Sequence, residues 1–450
     1  MFNITNIAVI KVSIIVALAG LLFGLDVAYV NGALQFIIRD FNLNQLQQGH
    51  IASYLLVGAA VGSLGGGYLS YKFGRKKLLI LSSLLFITGL ISGILTNDIN
   101  VFLFIRFVIG VAIGIASFVA PLYISEIAPY KMRGALIALY QFMITVGIFA
   151  MFVSNSLLAF TESWRIMMSV LLIPAFIMFI FSLLVPETPR WLVLKGHNDL
   201  AKSILNKLRN STQEVTQELN EIKNINRSVV SKISGTLLFK VIILGMLLQL
   251  LQQFSGINAF MYYSTTIFSM AGLHNPDIAT IIIGLVNMLT TILAIKLVDY
   301  WGRKPILYLG LILLIISCII IAYFTQISGL NLMQQYLVLI ASVLFIFAFA
   351  FSLGPIIWII CAEIFPLYYR DLGVTVTTMS NWVFNALIGQ YSLVGFHYLG
   401  VSKVFLFFGV CCLLGLFLVK FFTPETKNIS LEQLEQNLKQ GLSLKNIGDK

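Results

Sequence analysis

The chain reads as long apolar runs separated by short polar loops. A helix needs roughly 20 apolar residues to cross a bilayer, and runs of that order predict spans near 8–33, 48–71, 78–96, 101–124, 135–160, 165–185, 237–271, 276–298, 305–327, 334–361, 372–398 and 402–422. The loops between them repeat. Gly74-Arg75-Lys76 returns as Gly302-Arg303-Lys304, Glu126-Ile127-Ala128-Pro129 as Glu363-Ile364-Phe365-Pro366, and Pro186-Glu187-Thr188 as Pro424-Glu425-Thr426, in the same order and at nearly equal offsets. The pattern predicts an all-α membrane protein of twelve transmembrane helices in two pseudo-symmetric halves, 1–186 and 237–422, with a linker at 187–236 and a tail at 423–450. Internal repeats of this kind mark transporters that hold their substrate between the two copies.

Within the linker, Leu200, Ile204, Leu205 and Leu208 recur at helical spacing, followed by Val215, Leu219 and Ile222 among Glu and Gln. These predict short amphipathic helices on the cytoplasmic face. Leu431, Leu434 and Leu438, opened by Ser430, predict another in the tail.

Composition agrees. The chain is 59% hydrophobic and 10% charged, with a mean hydropathy of +0.94, far more apolar than a soluble domain. Its net charge of +11 records topology. Lys72, Arg75, Lys76 and Lys77 follow span 2, Arg303 and Lys304 follow span 8, and Lys195 through Lys240 fill the linker, whereas Arg39, Arg165 and Lys403 fall on the other side. The positive-inside rule makes the crowded face, and with it both termini, cytoplasmic. Charges in short loops between spans do not form a nucleic-acid surface. The first apolar run is long and lacks a small-residue cleavage site, so it is expected to remain as an anchor. Cys318, Cys361, Cys411 and Cys412 lie in or beside spans and read as packing residues.

Polar groups inside spans carry the candidate chemistry. Gln252, Gln253 and Asn258 flank Gly256 in span 7, and an amide left unpaired toward lipid costs several kcal/mol. Amides offer donors and acceptors without charge, which suits a neutral polyhydroxy ligand; their other use is interhelical glue at about 0.6 kcal/mol per contact. Gln141, Asn287, Asn381 and Asn385 add amides in spans 5, 8 and 11, and Trp358 follows a Gly354-Pro355 break in span 10. An indole face stacks on the C–H face of a pyranose.

Asp26 in span 1 and Arg106 in span 4 are the clearest intramembrane ionisable pair, and such costly residues are functional by default. Burial works against the aspartate's charge and a neighbouring arginine supports it, so withdrawing Arg106 lets Asp26 take a proton. A permanent bridge between spans 1 and 4 is the structural alternative. Arg75 and Arg303 come just after spans 2 and 8, and Glu126 and Glu363 sit at the cytoplasmic ends of spans 4 and 10, each glutamate followed by Arg133 or Arg370. These charges predict a clamp between helix ends, although isolated surface pairs contribute only about 0–1 kcal/mol.

The Gly-Arg-Lys loops, Pro121-Leu122-Tyr123 with Ser125-Glu126, Pro186-Glu187-Thr188-Pro189-Arg190-Trp191, Gln252-Gln253-Phe254-Ser255-Gly256-Ile257-Asn258 and Pro424-Glu425-Thr426-Lys427 together resemble the sugar porters of the major facilitator superfamily. The tail stretches Pro424 to Asn428 and Lys445-Asn446-Ile447-Gly448 resemble the bacterial galactose and arabinose proton symporters in particular, and Phe23-Gly24-Leu25-Asp26 and Cys361-Ala362-Glu363 with Arg370-Asp371 point the same way. The resemblance implies the major facilitator fold in the inner membrane, with uptake of a neutral hexose or pentose by alternating access, the proton as coupling ion and no other cofactor. It implies sugar contacts at Gln141, Gln252, Gln253, Asn258, Asn287, Trp358 and Asn381, outer-gate aromatics at Tyr262 and Tyr263, and proton coupling at Asp26, where facilitative glucose transporters typically carry asparagine. Asn381 resembles the galactose and facilitative glucose types. Asn287 is more typical of xylose and facilitative glucose porters, so the sugar stays open. One departure is Tyr71, where the family usually has an acidic residue four positions after its first glycine, here Gly67; the second copy keeps Asp299.

Other classes find less support. His50, His197, His274 and His397 are scattered without metal-ligand spacing or a positioned nucleophile, so neither a metal site nor an enzyme is expected. Gly62, Gly65, Gly66 and Gly67 lie inside a span and lack a following Gly-Lys-Ser/Thr, which fits helix packing rather than a phosphate loop. A facilitative uniporter is the neighbouring reading, and a non-transporting sugar receptor a more distant one. Both halves of the pathway lie in one chain, so a monomer suffices.

Overall fold

The computed structural model describes residues 4–129, 132–209, 211–225, 235–327, 329–366, 369–427, 429, 431–440 and 442–448. Regular structure is helical, with no strand among the described residues. In chain order the α-helices are α1 (Ile4–Phe41), α2 (Gln45–Phe73), α3 (Arg75–Leu95), α4 (Ile99–Ile127), α5 (Arg133–Leu158), α6 (Trp164–Ser169), α7 (Leu172–Leu184), α8 (Pro189–Leu194), α9 (Asn198–Leu208), α10 (Thr212–Ile225), α11 (Gly235–Phe254), α12 (Ile257–Met270), α13 (Pro276–Trp301), α14 (Arg303–Phe324), α15 (Leu332–Phe351), α16 (Leu353–Glu363), α17 (Arg370–Phe421) and α18 (Leu431–Lys439).

Eleven stretches among the described residues are long and apolar enough to cross a membrane, and the last, Leu372–Phe421, has 50 residues. At 1.5 Å per residue it is more than twice a 30 Å hydrocarbon core. Gly400 divides it by leaving helical geometry at φ 84°, ψ 157°, so it supplies two spans and the expected twelve are present. Three spans are broken. Span 6 comprises α6 and α7, span 7 breaks at Gly256 between α11 and α12, and span 10 breaks between α15 and α16. This last break falls at Ser352 (φ −120°, ψ −85°) rather than at Gly354-Pro355. Pro355 sits in the first turn of α16, where its missing N–H is tolerated.

The chain divides into two compact units. The first comprises the described residues of Met1–Asp26, Gly58–Gly147 and Arg165–Val230. Here α3 packs along α4 and α7. The linker helices α8, α9 and α10 pack on one another around Leu192, Val193, Ala201, Leu205, Val215, Leu219 and Ile222. Leu200 is exposed and Ala201 takes the position expected of it, a one-residue shift of the apolar face. Arg209 fastens this cluster to α4, donating from Nη1 to the C-terminal carbonyl of Ile127 at 2.9 Å and pairing with Glu218 at 2.6 Å. An unsatisfied helix-end carbonyl is a natural partner for a cation.

The second unit comprises the described residues of Val27–Val57, Ile148–Trp164 and Ser231–Lys450. It joins the second part of α1, the start of α2 and the end of α5 to α11–α18. Its main packing runs between α14 and α17, α11 and α17, and α14 and α15. In the tail, α18 buries Leu434 and Leu438. The side chain of Leu431 and the whole of Ser430 and Asn428 lie outside the described parts. Asn437 donates from Nδ2 to the carbonyl of Ile447 at 2.8 Å, folding the end of the chain back on α18.

Candidate functional site

Three constellations bear on function. The first is the ion pair. Arg106 donates from Nη1 to Oδ1 of Asp26 at 2.7 Å, with both side chains about 1% exposed. The other carboxylate oxygen, Oδ2, is buried with no hydrogen-bond partner. Both helices of the pair are braced in the first unit by backbone-to-backbone packing. At Gly58 and Gly62 of α2 an added Cβ would strike the carbonyls of Phe107 and Val111 on α4, and at Gly147 of α5 it would strike that of Leu21 on α1. The predicted glycine packing therefore falls on Gly58 and Gly62; Gly66 and Gly67 make ordinary contacts with Phe118, and Gly65 meets only Leu69 of its own helix.

The second constellation is an amide network in the second unit. Gln252, at the C-terminal end of α11, donates from Nε2 to the carbonyls of Leu353 and Gly354 at 2.9 and 3.2 Å, in the first turn of α16. Asn381 of α17 donates to Oε1 of Gln252 at 2.7 Å and to Oε1 of Gln249 at 2.6 Å. Gln253 donates to Gln252 at 3.4 Å and accepts from Asn258 at 2.5 Å. Buried amides in low dielectric must be satisfied, and here they satisfy one another.

Gly256 fixes this corner. It holds φ +93°, with the Phe408 ring where a Cβ would stand, so only glycine fits this bend. Tyr263 leaves helical geometry (φ −131°, ψ 19°) and donates to the carbonyl of Gly389 at 2.6 Å, while Tyr262 donates to Oδ1 of Asn385 at 3.2 Å. Asn287 is buried on α13, and Trp358 on α16 is 36% exposed. Gln141 belongs to the first unit, half-buried on α5. Gln249, fully buried, was missed by the sequence reading. Its signal was present, because it lies three and four residues before Gln252 and Gln253 and so shares their helix face.

The third constellation is the repeated loop, built alike in each unit. Glu187 accepts from the backbone N–H groups of Arg75 and Lys76, the first residues of α3, at 3.1 and 3.2 Å. Glu425 does the same for Arg303 and Lys304 of α14 at 3.1 and 2.9 Å. A carboxylate at a helix N-terminus satisfies orphan donors and complements the dipole. The Pro-Glu-Thr glutamates are thus caps for the Gly-Arg-Lys helices, a role that sequence reading did not give them. Their equal offset from those loops in both copies was the available signal.

Arg75 pairs with Glu126 at 2.8 Å and Arg303 with Glu363 at 3.0 Å, each within its own copy. Of the four arginines expected at the clamp, these two are paired with the glutamates among the described contacts. Arg133 is exposed, and Arg370 donates from Nη2 to the carbonyl of Phe365 at 3.5 Å rather than to a glutamate among the described contacts. The copies also differ. Thr426 donates to Oε2 of Glu363 at 2.5 Å, whereas Thr188 Oγ1 and Glu126 Oε2 are buried without a partner. At the departure noted in the sequence, the Lys195 ammonium lies 4.3 Å from the centre of the Tyr71 ring and Trp191 donates to the Tyr71 carbonyl at 2.9 Å. The side chain of Asp299 is outside the described set.

Burial raises the Glu187 carboxyl above the ordinary glutamate value, outweighing the opposing N–H groups and Arg75. A raised folded-state value means that the native state holds the proton more tightly, so this contribution to stability is lost as pH rises through it. Glu187→Gln keeps the acceptor oxygen and removes the charge. Its Tm is expected to gain on the parent's as pH rises from the ordinary glutamate range toward neutrality; parallel Tm profiles for the two proteins would contradict this.

The comparisons with known proteins agree with these motifs. The model of the family described as "Sugar (and other) transporter" matches residues 12–438. The galactose-proton symporter of Escherichia coli (strain K12) is 40% identical, covering 97% of this chain and 96% of that protein. The arabinose-proton symporter of the same strain is 38% identical, covering 97% and 95%. Among solved structures, the xylose transporter XylE from E. coli in a partially occluded inward-open conformation aligns with a TM-score of 0.83 at 27% identity, covering 94% of this chain and 99% of that one. The repeated loops, the twelve helical spans and these full-length matches place the chain in the sugar transporter family of the major facilitator superfamily.

Proposed function

We propose that this protein imports a neutral monosaccharide, a galactose- or glucose-type hexose or an arabinose- or xylose-type pentose, together with a proton. The observation that carries the coupling is the buried Asp26–Arg106 pair with Asp26 Oδ2 left without a partner. That oxygen can take a proton when the guanidinium is drawn away, and arginine itself stays charged throughout.

Substrate recognition is assigned to Gln252, Gln253, Asn258, Asn287 and Asn381, with Trp358 as the stacking face; Gln141 is kept as a further sugar-contacting amide on the strength of the family resemblance alone. The amide network pairs internally, so a sugar hydroxyl enters by exchanging one hydrogen bond for another, which keeps every buried amide satisfied. Tyr262 and Tyr263 serve as gate, and the Arg75–Glu126 and Arg303–Glu363 pairs as cytoplasmic clamps. The cycle takes up proton and sugar outside, switches by alternating access and releases both inside, in the inner membrane with both termini cytoplasmic. A proton descending about 100 mV supplies about 2.3 kcal/mol. Galactose and arabinose are favoured because the named relatives with 40% and 38% identity are proton symporters for those sugars.

The test is uptake of labelled galactose, glucose, arabinose and xylose into energised vesicles with and without a protonophore. Accumulation of one sugar above its external level, abolished by the protonophore, is the expected result. Equilibration without accumulation, insensitive to protonophore, would leave a uniporter.

A further inference from the structure

In the second unit, α1, α5, α12 and α13 enclose a small polar crevice with room for one water-sized occupant, lined by Asn31, Gln35, Asn155, Thr265, Asp277 and Thr280 among others. Three of its lining side chains, Asn155, Thr265 and Thr280, donate to other protein groups. Asn155 donates from Nδ2 to the carbonyl of Ala28 at 2.9 Å, while its Oδ1 is buried with no partner and the residue is 6% exposed. Thr265 donates to Oδ1 of Asn31 at 2.5 Å. Asn31 donates to Ser264 at 2.7 Å, and Ser264 lies 3.1 Å from Thr280, which donates to the carbonyl of Pro276 at 2.9 Å. The relay points one way, so the Thr265 and Thr280 hydroxyl oxygens and Asn155 Oδ1 offer lone pairs to the crevice. The carboxylate of Asp277 stands at the rim.

The geometry points to a binding site for a small monovalent metal cation such as Na⁺ at this crevice, with Asn155 Oδ1, the Asp277 carboxylate and the Thr265 and Thr280 hydroxyl oxygens as its ligands. All four are hard oxygen donors, the type that group favours. One formal negative charge balances one positive charge; a divalent ion would be left half neutralised, and an anion would meet the Asp277 carboxylate and the Asn155 oxygen. A sugar ring is too large for a space of one water. The site shares no residue with the Asp26–Arg106 pair or the amide network, so it stands whether or not the proposed transport does.

The test uses the full chain in detergent without sugar, at fixed pH and ionic strength, with NaCl replacing N-methylglucamine chloride while Tm is followed by tryptophan fluorescence. A saturable rise of about 2 °C at tenfold excess over Kd is expected, with its midpoint shifted at least about tenfold higher in Asp277→Asn. Asp277 is exposed at the rim, so the variant is expected to fold; Thr280→Val serves as a second probe of the same ligand set. A Tm indifferent to Na⁺, or a rise identical in parent and both variants, would overturn the site and leave the crevice to water.

Discussion

Asp26→Asn is expected to abolish accumulation of sugar while leaving exchange of labelled for unlabelled sugar across the membrane intact. Asparagine keeps the volume and one acceptor oxygen for Arg106, which donates to Asp26 at 2.7 Å in the parent, but it has no proton to gain or lose. Without that proton the membrane potential does no work on the sugar. The loss corresponds to about 2.3 kcal/mol per 100 mV, or roughly a fiftyfold accumulation ratio falling to one. The variant also takes the carboxylate from the Arg106 charge in a site about 1% exposed, and breaking such a pair costs about 3–5 kcal/mol. Poor folding would mimic lost coupling. The double variant Asp26→Asn, Arg106→Met removes that buried charge as well and is expected to regain stability without regaining accumulation. If Asp26→Asn still accumulates sugar in a protonophore-sensitive way, the pair is a structural bridge and the proton is carried elsewhere.

Gln252→Ala is the second large effect, expected to weaken sugar affinity about a hundredfold in equilibrium binding. Gln252 is the hub of the amide network, bound to the break between α15 and α16 on one side and to Asn381 on the other. When the sugar exchanges into the network its hydroxyls take over the two or three hydrogen bonds of Gln252, at about 1 kcal/mol each, and alanine offers the bound sugar none of them. Gln253→Ala, which touches only Gln252 and Asn258 among the described contacts, is expected to lower affinity with a smaller fall in Tm. The alternative use of these amides, glue between α11, α16 and α17, predicts the opposite pattern. In that case Gln252→Ala lowers Tm and leaves the sugar Kd unchanged, and that outcome would remove the network from the substrate site.

The caps show how far a repeat can be read. That Glu187 and Glu425 recur with the Gly-Arg-Lys loops was visible in the chain, yet the contact between them joins residues more than a hundred positions apart. Spacing alone names no partner over such a distance. The same limit hid Gln249, whose role depends on Asn381 approaching from α17, and the crevice at Asn155, whose amide nitrogen binds the Ala28 carbonyl while its oxygen is left without a donor. Arg133 and Arg370 show the same limit from the other side. Charge and position nominated them beside Arg75 and Arg303, yet nothing in the chain told the four arginines apart, and in the structure Arg133 is exposed while Arg370 reaches the Phe365 carbonyl.

Span number, the duplicated halves and the intramembrane pair of Asp26 and Arg106 were determined by the sequence itself. The reason is that bilayer thickness sets apolar run length and the cost of burying charge makes any ionisable residue in such a run conspicuous. Tertiary structure alone decided which amides meet, where the tenth span breaks, and which arginine finds which glutamate. Those outcomes turn on ångström-scale approach between helices distant in the chain, and hydropathy carries no information about them.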